Sequence, residues 1–300
     1  MKIGILGYGS IGQRHGASAM KLGHYGEVYD PLTWHIDRRG HILTWADAII
    51  VASPTEFHVQ DLHDALEAKK HVLVEKPIGY DDPNIVHNLL YHAAVNKLIV
   101  ATGFNLRFHS CVQAAKNVLD RGLLGNIICA SFTVNQLSAK PPYLRDGVIR
   151  NWLSHEIDLA HFLLGEGEVE TCVAPIDEFG HDSKEAFIAM KFPEVRDKVY
   201  VQGDYYTEPQ QRFWWIEGDH SSLYCNMIRR EIYMRFPGEQ PNLFYRGEDS
   251  FDANYVDEMR AFTDLIATGF PNPWLATGED GVRSLRTVMA ARLKAGLDKE

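Results

Sequence analysis

Gly7-Tyr8-Gly9-Ser10-Ile11-Gly12 sets three glycines at the spacing G-x-G-x-x-G, directly after the apolar run Lys2–Leu6 and at the head of a helical pattern over Ile11–Leu22. That order of strand, turn and helix gives the spacing its meaning. The first glycine makes a tight turn, the second lets main chain approach a pyrophosphate, and the third lets helix and strand pack closely. N–H groups at the helix start then face phosphate oxygens. Gly7, Tyr8, Gly9, Ser10, Ile11 and Gly12 are therefore candidate dinucleotide contacts; an ordinary strand-to-helix turn is the alternative. Asp30 ends the next run, Glu27–Asp30, 18 residues after Gly12, where a carboxylate accepts from ribose hydroxyls. The same carboxylate repels a 2′-phosphate, and Pro31-Leu32 rather than arginine follows it, which favours NAD over NADP. Arg38 and Arg39 lie a little further on, and a turn aspartate before proline is the plainer role for Asp30.

Three more segments fall where apolar runs end: Ser53-Pro54-Thr55 with His58, Glu75-Lys76-Pro77, and Gly103–Arg107. Open α/β sheets bind ligands at the carboxyl ends of their strands, so these segments should converge with the glycine turn. Ser53, Pro54, Thr55, His58, Glu75 and Lys76 join the candidate cofactor contacts. No metal is expected. His155-Glu156 opens like H-E-x-x-H, but Leu159 stands at i+4 and the next histidine, His161, is six residues on. Ten of the 14 histidines lie in residues 1–120, yet His87 and His92 are five apart and no His/Cys group has zinc spacing. G-x-S-x-G, the mark of a serine hydrolase, is missing too.

The elements that must carry these residues are legible from period. Short, continuously apolar strands at Lys2–Leu6, Glu27–Asp30, Ala48–Ala52, His71–Val74 and Leu98–Thr102 alternate with helical patterns at Ile11–Leu22, Val59–Lys69 and Pro83–Asn96. This predicts a doubly wound parallel sheet covered on both faces. After a helix over Cys111–Asp120, longer strands with a period near two follow at Ile127–Asn135, Val169–Pro175, Ala186–Phe192, Lys198–Tyr206, Arg212–Glu217 and Ser222–Asn226, interrupted by a helix at Asn151–Leu164. They predict an α+β domain with a mostly antiparallel sheet. The expected division is 1–122 for the dinucleotide domain and 123–279 for a substrate-binding and oligomerisation domain, with a last helix at 280–297. Twelve of the 60 residues from 201 to 260 are aromatic, read as core and subunit interface, with sugar-stacking platforms as the alternative.

Composition agrees with two globular domains. The 300 residues are 45% hydrophobic and 23% charged, which excludes a disordered, fibrous or coiled-coil chain. Lys+Arg 30 against Asp+Glu 40 gives a net charge of −10, the wrong sign for nucleic acid or an anionic membrane. No apolar run approaches membrane-spanning length, and Met1-Lys2-Ile3-Gly4 leads into the glycine turn rather than a leader. Four scattered cysteines, Cys111, Cys129, Cys172 and Cys225, fit reduced thiols. A cytoplasmic protein is expected.

Taken together, residues 7–12, Ser-Pro-Thr with histidine at 53–58, Glu75-Lys76-Pro77, Gly103-Phe104-Asn105-Leu106-Arg107-Phe108 and Ser154-His155-Glu156-Ile157-Asp158 resemble the glucose-fructose oxidoreductase and inositol dehydrogenase (Gfo/Idh/MocA) family. The resemblance runs through nearly the whole chain. It implies an NAD(P)-dependent dehydrogenase of sugars, inositols or nucleotide-linked sugars, with a Rossmann domain, an open sheet used for homodimer or homotetramer formation, and a last helix that returns to the N-terminal domain. By position, Lys76 would be the family lysine beside the reacting hydroxyl, Pro77 would fix its loop, and His155 would be the general acid/base. Histidine takes a hydroxyl proton near neutrality with little tuning, and lysine stabilises developing alkoxide charge. Arg107, Tyr143, Arg145 and Asn151 are candidate substrate contacts.

Two departures stand out. Relatives commonly carry aspartate four residues before the histidine, where this chain has Asn151; an amide can position a hydroxyl but cannot carry a proton. Only 17 residues separate Asp30 from the third strand, too few for a long helix and a strand. Asn151 keeps open a non-catalytic dinucleotide-binding sensor on the same fold, and a reductase of a non-sugar double bond is a third possibility.

Overall fold

The computed structural model describes residues 1–32, 38–80, 82–137, 146–176 and 182–298. Its helices are α1 (Ser10–Lys21), α2 (Arg39–Trp45), α3 (His58–Glu67), α4 (Pro83–Val95), α5 (Ser110–Asp120), α6 (Ser154–Leu164), α7 (Phe251–Thr268) and α8 (Gly278–Lys294). The strands are β1 (Lys2–Leu6), β2 (Tyr25–Tyr29), β3 (Ala48–Val51), β4 (His71–Glu75), β5 (Val100–Gly103), β6 (Ile127–Asn135), β7 (Glu168–Val173), β8 (Glu185–Lys191), β9 (Val199–Asp204), β10 (Gln211–Gly218), β11 (Ser222–Asn226), β12 (Glu231–Arg235) and β13 (Asn242–Arg246). They form two compact units: Met1–Phe108 with Ser250–Leu285, and His109–Asp249 with Arg286–Glu300.

The first unit is a Rossmann-type α/β layer structure. Its sheet runs β2-β1-β3-β4-β5 with every pair parallel. Continuous apolar strands bury both faces, and Ile49, Ile50 and Val51 of β3 and Val72, Leu73 and Val74 of β4 have no exposed surface. Edge strand β2 is shorter of apolar residues, and its Tyr25 is exposed. The short connection after Asp30 leaves α2 only seven residues.

Helix α7, which was not expected from the sequence, starts at Ser250, whose Oγ accepts from the Ala253 N–H at 3.3 Å. It ends at Gly269 in the left-handed region, φ +74°. Packing on α1, it sends Met259, Ala261 and Phe262 into one core with Ile3, Ile5, Ile50, Leu73 and Ala101. Beyond it, the Thr102 N–H donates to the Ala276 carbonyl at 2.9 Å, and Ala101 bridges antiparallel to Thr277 along the free side of β5.

The second unit is built on an eight-stranded sheet, β13-β12-β11-β10-β6-β9-β8-β7. All its pairs are antiparallel except β6 with β9. Period-two strands sort the faces. Phe132, Ile188, Val201, Trp214, Ile216, Leu223 and Ile232 are buried on one face, where α6 packs against β6 and β9. The other face carries Thr133, Gln202, Phe213, Trp215 and Tyr224, and Phe213, Tyr224 and Tyr233 form a ladder with ring centroids 6.0 and 6.5 Å apart.

The units divide at Phe108, not at 122 as the sequence suggested. Helix α5 turns Cys111, Val112, Ala115 and Val118 inward and packs on β12 and β13, which places it in the second unit. Residues 250–285 go to the first unit because α7 packs there. The last helix, expected over 280–297 and on the N-terminal domain, groups with the first unit up to Leu285 and with the second from Arg286.

Candidate active site

The glycine turn has three distinct environments. Gly7 adopts φ +93°, and a Cβ on it would sit 2.5 Å from the Ala52 carbonyl oxygen and the Ser53 nitrogen, so only glycine fits between β1 and β3. At Gly12 a Cβ would lie 2.1 Å from the Gly7 carbonyl oxygen, which ties α1 tightly to the turn. Gly9 is the opposite case, since a Cβ there would meet nothing within 4 Å. Main chain at Gly9 and the first N–H groups of α1 thus border an open cradle, the arrangement a pyrophosphate needs. Asp30 completes it: one carboxylate oxygen accepts from the Tyr8 N–H at 2.8 Å and the other from the Leu32 N–H at 2.9 Å. The residues present fit a dinucleotide.

Ser53, Pro54 and Thr55 lie between β3 and a short 3-10 turn, Thr55–Phe57. Ser53 Oγ donates to Asp61 at 2.6 Å. His58 is buried at the start of α3, with Nε2 2.8 Å from the Ser53 carbonyl oxygen and Nδ1 2.8 Å from the Pro77 carbonyl oxygen. Its ring is engaged by main chain on both sides, so it joins the β3 and β4 loops and leaves ligand contact to its neighbours.

At the end of β4, Glu75 is buried and Lys76 is half-buried, and the Lys76–Pro77 bond is cis. Glu75 Oε1 is 2.8 Å from His15 Nε2 of α1, while Oε2 accepts from the Lys76 N–H at 3.2 Å. Glu258 of α7 stands in the same group, with donor atoms of all three residues within 4.8 Å. A contact of 2.8 Å is a hydrogen bond, shorter than the ~3.3 Å edge between ligands of a tetrahedral zinc. Burial, followed by the charges of Glu75 and Glu258, raises the pKa of the neighbouring Tyr255 hydroxyl. His15, Tyr255 and Glu258 belong to none of the motifs that mark the site in the sequence. His15 was available as the residue three positions after Gly12 on the inward face of α1; the other two went with the unrecognised α7.

Arg107 lies in the 3-10 turn Asn105–Phe108 after β5. It is buried, and its guanidinium donates to Asp280 at 3.2 Å. Thr277 and Asp280 make a reciprocal cap at the head of α8: the Thr277 N–H and Oγ1 each donate to Asp280 at 2.9 Å, and the Asp280 N–H donates back at 3.1 Å. Burial raises the Asp280 pKa, but the Arg107 charge and the Thr277 hydrogen bonds outweigh it and hold the carboxyl below its usual value. Arg107 therefore anchors the helix start.

In the second unit, Asn151 sits in a π-helical turn, Ile149–Leu153, that runs directly into α6, and His155 follows at i+4. Such widened turns recur at functional sites. Both side chains are half-buried. Their helix is fixed by its neighbours: Glu156, 2% exposed, pairs with Arg212 of β10 at 2.8 Å, and Trp152 meets Tyr205 edge-on at 4.5 Å. The Tyr205 hydroxyl donates to the Gly147 carbonyl at 3.0 Å. Asp158 is buried within α6, and His161 closes the helix end with Nε2 3.0 Å from Thr287 Oγ1. Tyr143 and Arg145 fall outside the described residues.

Residues 41–104 match the model of an oxidoreductase family, Gfo/Idh/MocA, with an NAD-binding Rossmann fold. Myo-inositol 2-dehydrogenase of Thermotoga maritima is 25% identical over 261 residues, 82% of this chain and 76% of the relative. Among solved structures, UDP-N-acetylglucosamine 3-dehydrogenase from Acidithiobacillus ferrooxidans superposes with a TM-score of 0.86 at 18% identity, covering 99% of this chain and 98% of the other. Levoglucosan dehydrogenase in complex with NADH and levoglucosan gives 0.85 at 19% identity, covering 99% and 97%.

Proposed function

We propose, for a chain that belongs to the Gfo/Idh/MocA family of oxidoreductases, an NAD-dependent hydride transfer at a secondary alcohol or ketone of a sugar, cyclitol or nucleotide-linked sugar. The observation that carries this is the open main-chain cradle at Gly9 beside an Asp30 carboxylate already fixed by the Tyr8 amide. Gly7, Gly9, the start of α1 and Asp30 would hold the cofactor, and the Ser53–Thr55 and Glu75–Lys76 loops would border it. When bound, the nicotinamide supplies the hydride acceptor or donor.

The chain's own residues handle the proton. His155 takes the hydroxyl proton during oxidation and returns it during reduction. Lys76 places positive charge beside the carbinol oxygen as alkoxide character develops. Its main chain is fixed by Glu75, which His15 steadies in turn. Asn151 offers an amide to a substrate hydroxyl. The related dehydrogenases named for inositol, a nucleotide sugar and an anhydrosugar support a polyol substrate.

Purified protein supplied with NAD and a panel of inositols, sugars and nucleotide sugars should generate NADH absorbance, lost on changing Lys76 or His155. Cofactor binding without turnover across the panel would favour a sensor, the reading that Asn151 supports. Oxidation of added NADH by an unsaturated substrate alone would favour a double-bond reductase. The open face of the large sheet, with Val173, Phe187 and Tyr224 exposed, is the proposed contact between copies of the chain; a monomer by light scattering would exclude it.

A further inference from the structure

We infer that Arg39, held by Asp61 and Asp64, determines discrimination against a 2′-phosphorylated dinucleotide; this rests on the cofactor reading above. Arg39 is the first residue of α2, the element that follows Asp30. One guanidinium nitrogen lies 2.7 Å from Asp61 Oδ1 and 2.6 Å from Asp64 Oδ2. The other Asp61 oxygen takes the Ser53 hydroxyl at 2.6 Å, and the Ser53 main chain is what a Cβ on Gly7 would strike. A continuous chain of contacts therefore runs from Arg39 through Asp61 and Ser53 to the glycine turn.

An arginine on this side of a Rossmann sheet is the group that takes a 2′-phosphate, because its planar fork matches phosphate oxygens. Here the fork is committed elsewhere. Asp64 is burdened by burial, yet hydrogen bonds from His63, Arg39 and Gln60 keep it ionised below its usual range. Arg39 thus faces two carboxylates, and the Asp30 carboxylate borders the glycine turn through the Tyr8 N–H. A phosphate carrying nearly two negative charges would have to displace both partners of Arg39 and then sit among unpaired carboxylates. NAD, which carries a neutral ribose hydroxyl at that position, meets no such barrier.

Dinucleotide affinity, read by tryptophan fluorescence or calorimetry, tests this without any turnover. Wild-type protein should bind NAD more tightly than NADP. Asp64→Asn should tighten NADP by on the order of tenfold while NAD changes by less than about twofold, the size expected when one surface guanidinium becomes available to a phosphate. Arg39→Ala/Asp64→Asn should lose that gain, since the freed guanidinium produces it. Thermal melts of each variant report folding, and Asp61→Asn provides a second release of Arg39 should Asp64→Asn unfold. An unchanged NADP-to-NAD ratio in both carboxylate variants, or a gain that survives without Arg39, would overturn the role of Arg39 and leave the cofactor assignment standing. Failure of wild-type protein to bind either dinucleotide would overturn both.

Discussion

The Tyr8 amide donates to the Asp30 carboxylate across 2.8 Å, so the side chain proposed to receive a ribose also braces the glycine turn. Under the proposed function, one residue would then serve both cofactor affinity and loop order. Asp30→Ala should weaken NAD binding by about tenfold or more, the effect of losing hydrogen bonds to a charged group. Asp30→Asn, which retains an acceptor, should lose less; calorimetric titration of both variants checks the order.

Gly9 and Gly12 should separate binding from stability. Gly12→Ala sets a methyl group against the Gly7 carbonyl and should lower stability by about 3 kcal/mol or more, as overpacking against main chain does. Gly9→Ala fills only open space, so its melting temperature should hold while dinucleotide affinity falls. Equal losses of stability in the two variants would contradict the open cradle.

Lys76→Ala and His155→Ala should each reduce kcat by about 10²–10⁴-fold, the usual range for charge-stabilising and proton-transfer groups, with NAD affinity less affected by the change at His155. Rapid-kinetic measurement on a substrate found in the panel tests this, and the pH profile should lose its ascending limb in the histidine variant.

Arg212 and Glu156 form a buried ion pair beneath the His155 helix. Arg212→Ala strands a buried carboxylate and should cost about 3–5 kcal/mol. Arg212→Met/Glu156→Gln should recover part of this loss in denaturant titrations.

Asp280 gives acid sensitivity of definite sign. Its folded pKa lies below the ordinary 3.8, so its stabilisation is fully present above that value and is lost as pH falls through the folded pKa. Melting temperature should therefore drop on acidification below about pH 4, and Asp280→Asn should be less stable at neutrality with a shallower drop. Identical slopes for the two proteins would remove Asp280 as a contributor.

Much of this organisation was legible in sequence because local chemistry and tertiary role coincide. Strands β1, β3 and β4 are continuous apolar runs since both of their faces are covered, and the glycine turn needs glycine for reasons that spacing alone expresses. Helix α7 escaped because Phe251 and Tyr255 extend an aromatic-rich stretch, although Tyr255, Met259 and Phe262 stand at helical intervals. Strands β12 and β13 were missed for a related reason: β13 is mostly exposed and lacks clear alternation. Arg107 and His58 are expected at the ligand from the loops they occupy, whereas the fold engages them with Asp280 and with two main-chain carbonyls. Such partners are distant in sequence, as with Arg107 and Asp280, and no short-range pattern announces them.

The contact of Thr102 with Ala276 and the bridge from Ala101 to Thr277 also bear on biosynthesis. Both complete the first unit with residues made after the whole second sheet, and so does α7. A nascent chain that has reached only Phe108 carries a bare β5 edge, open to strand pairing with other chains, and an uncovered α1. The glycine turn is synthesised early, but its domain closes only after the entire second sheet has been made.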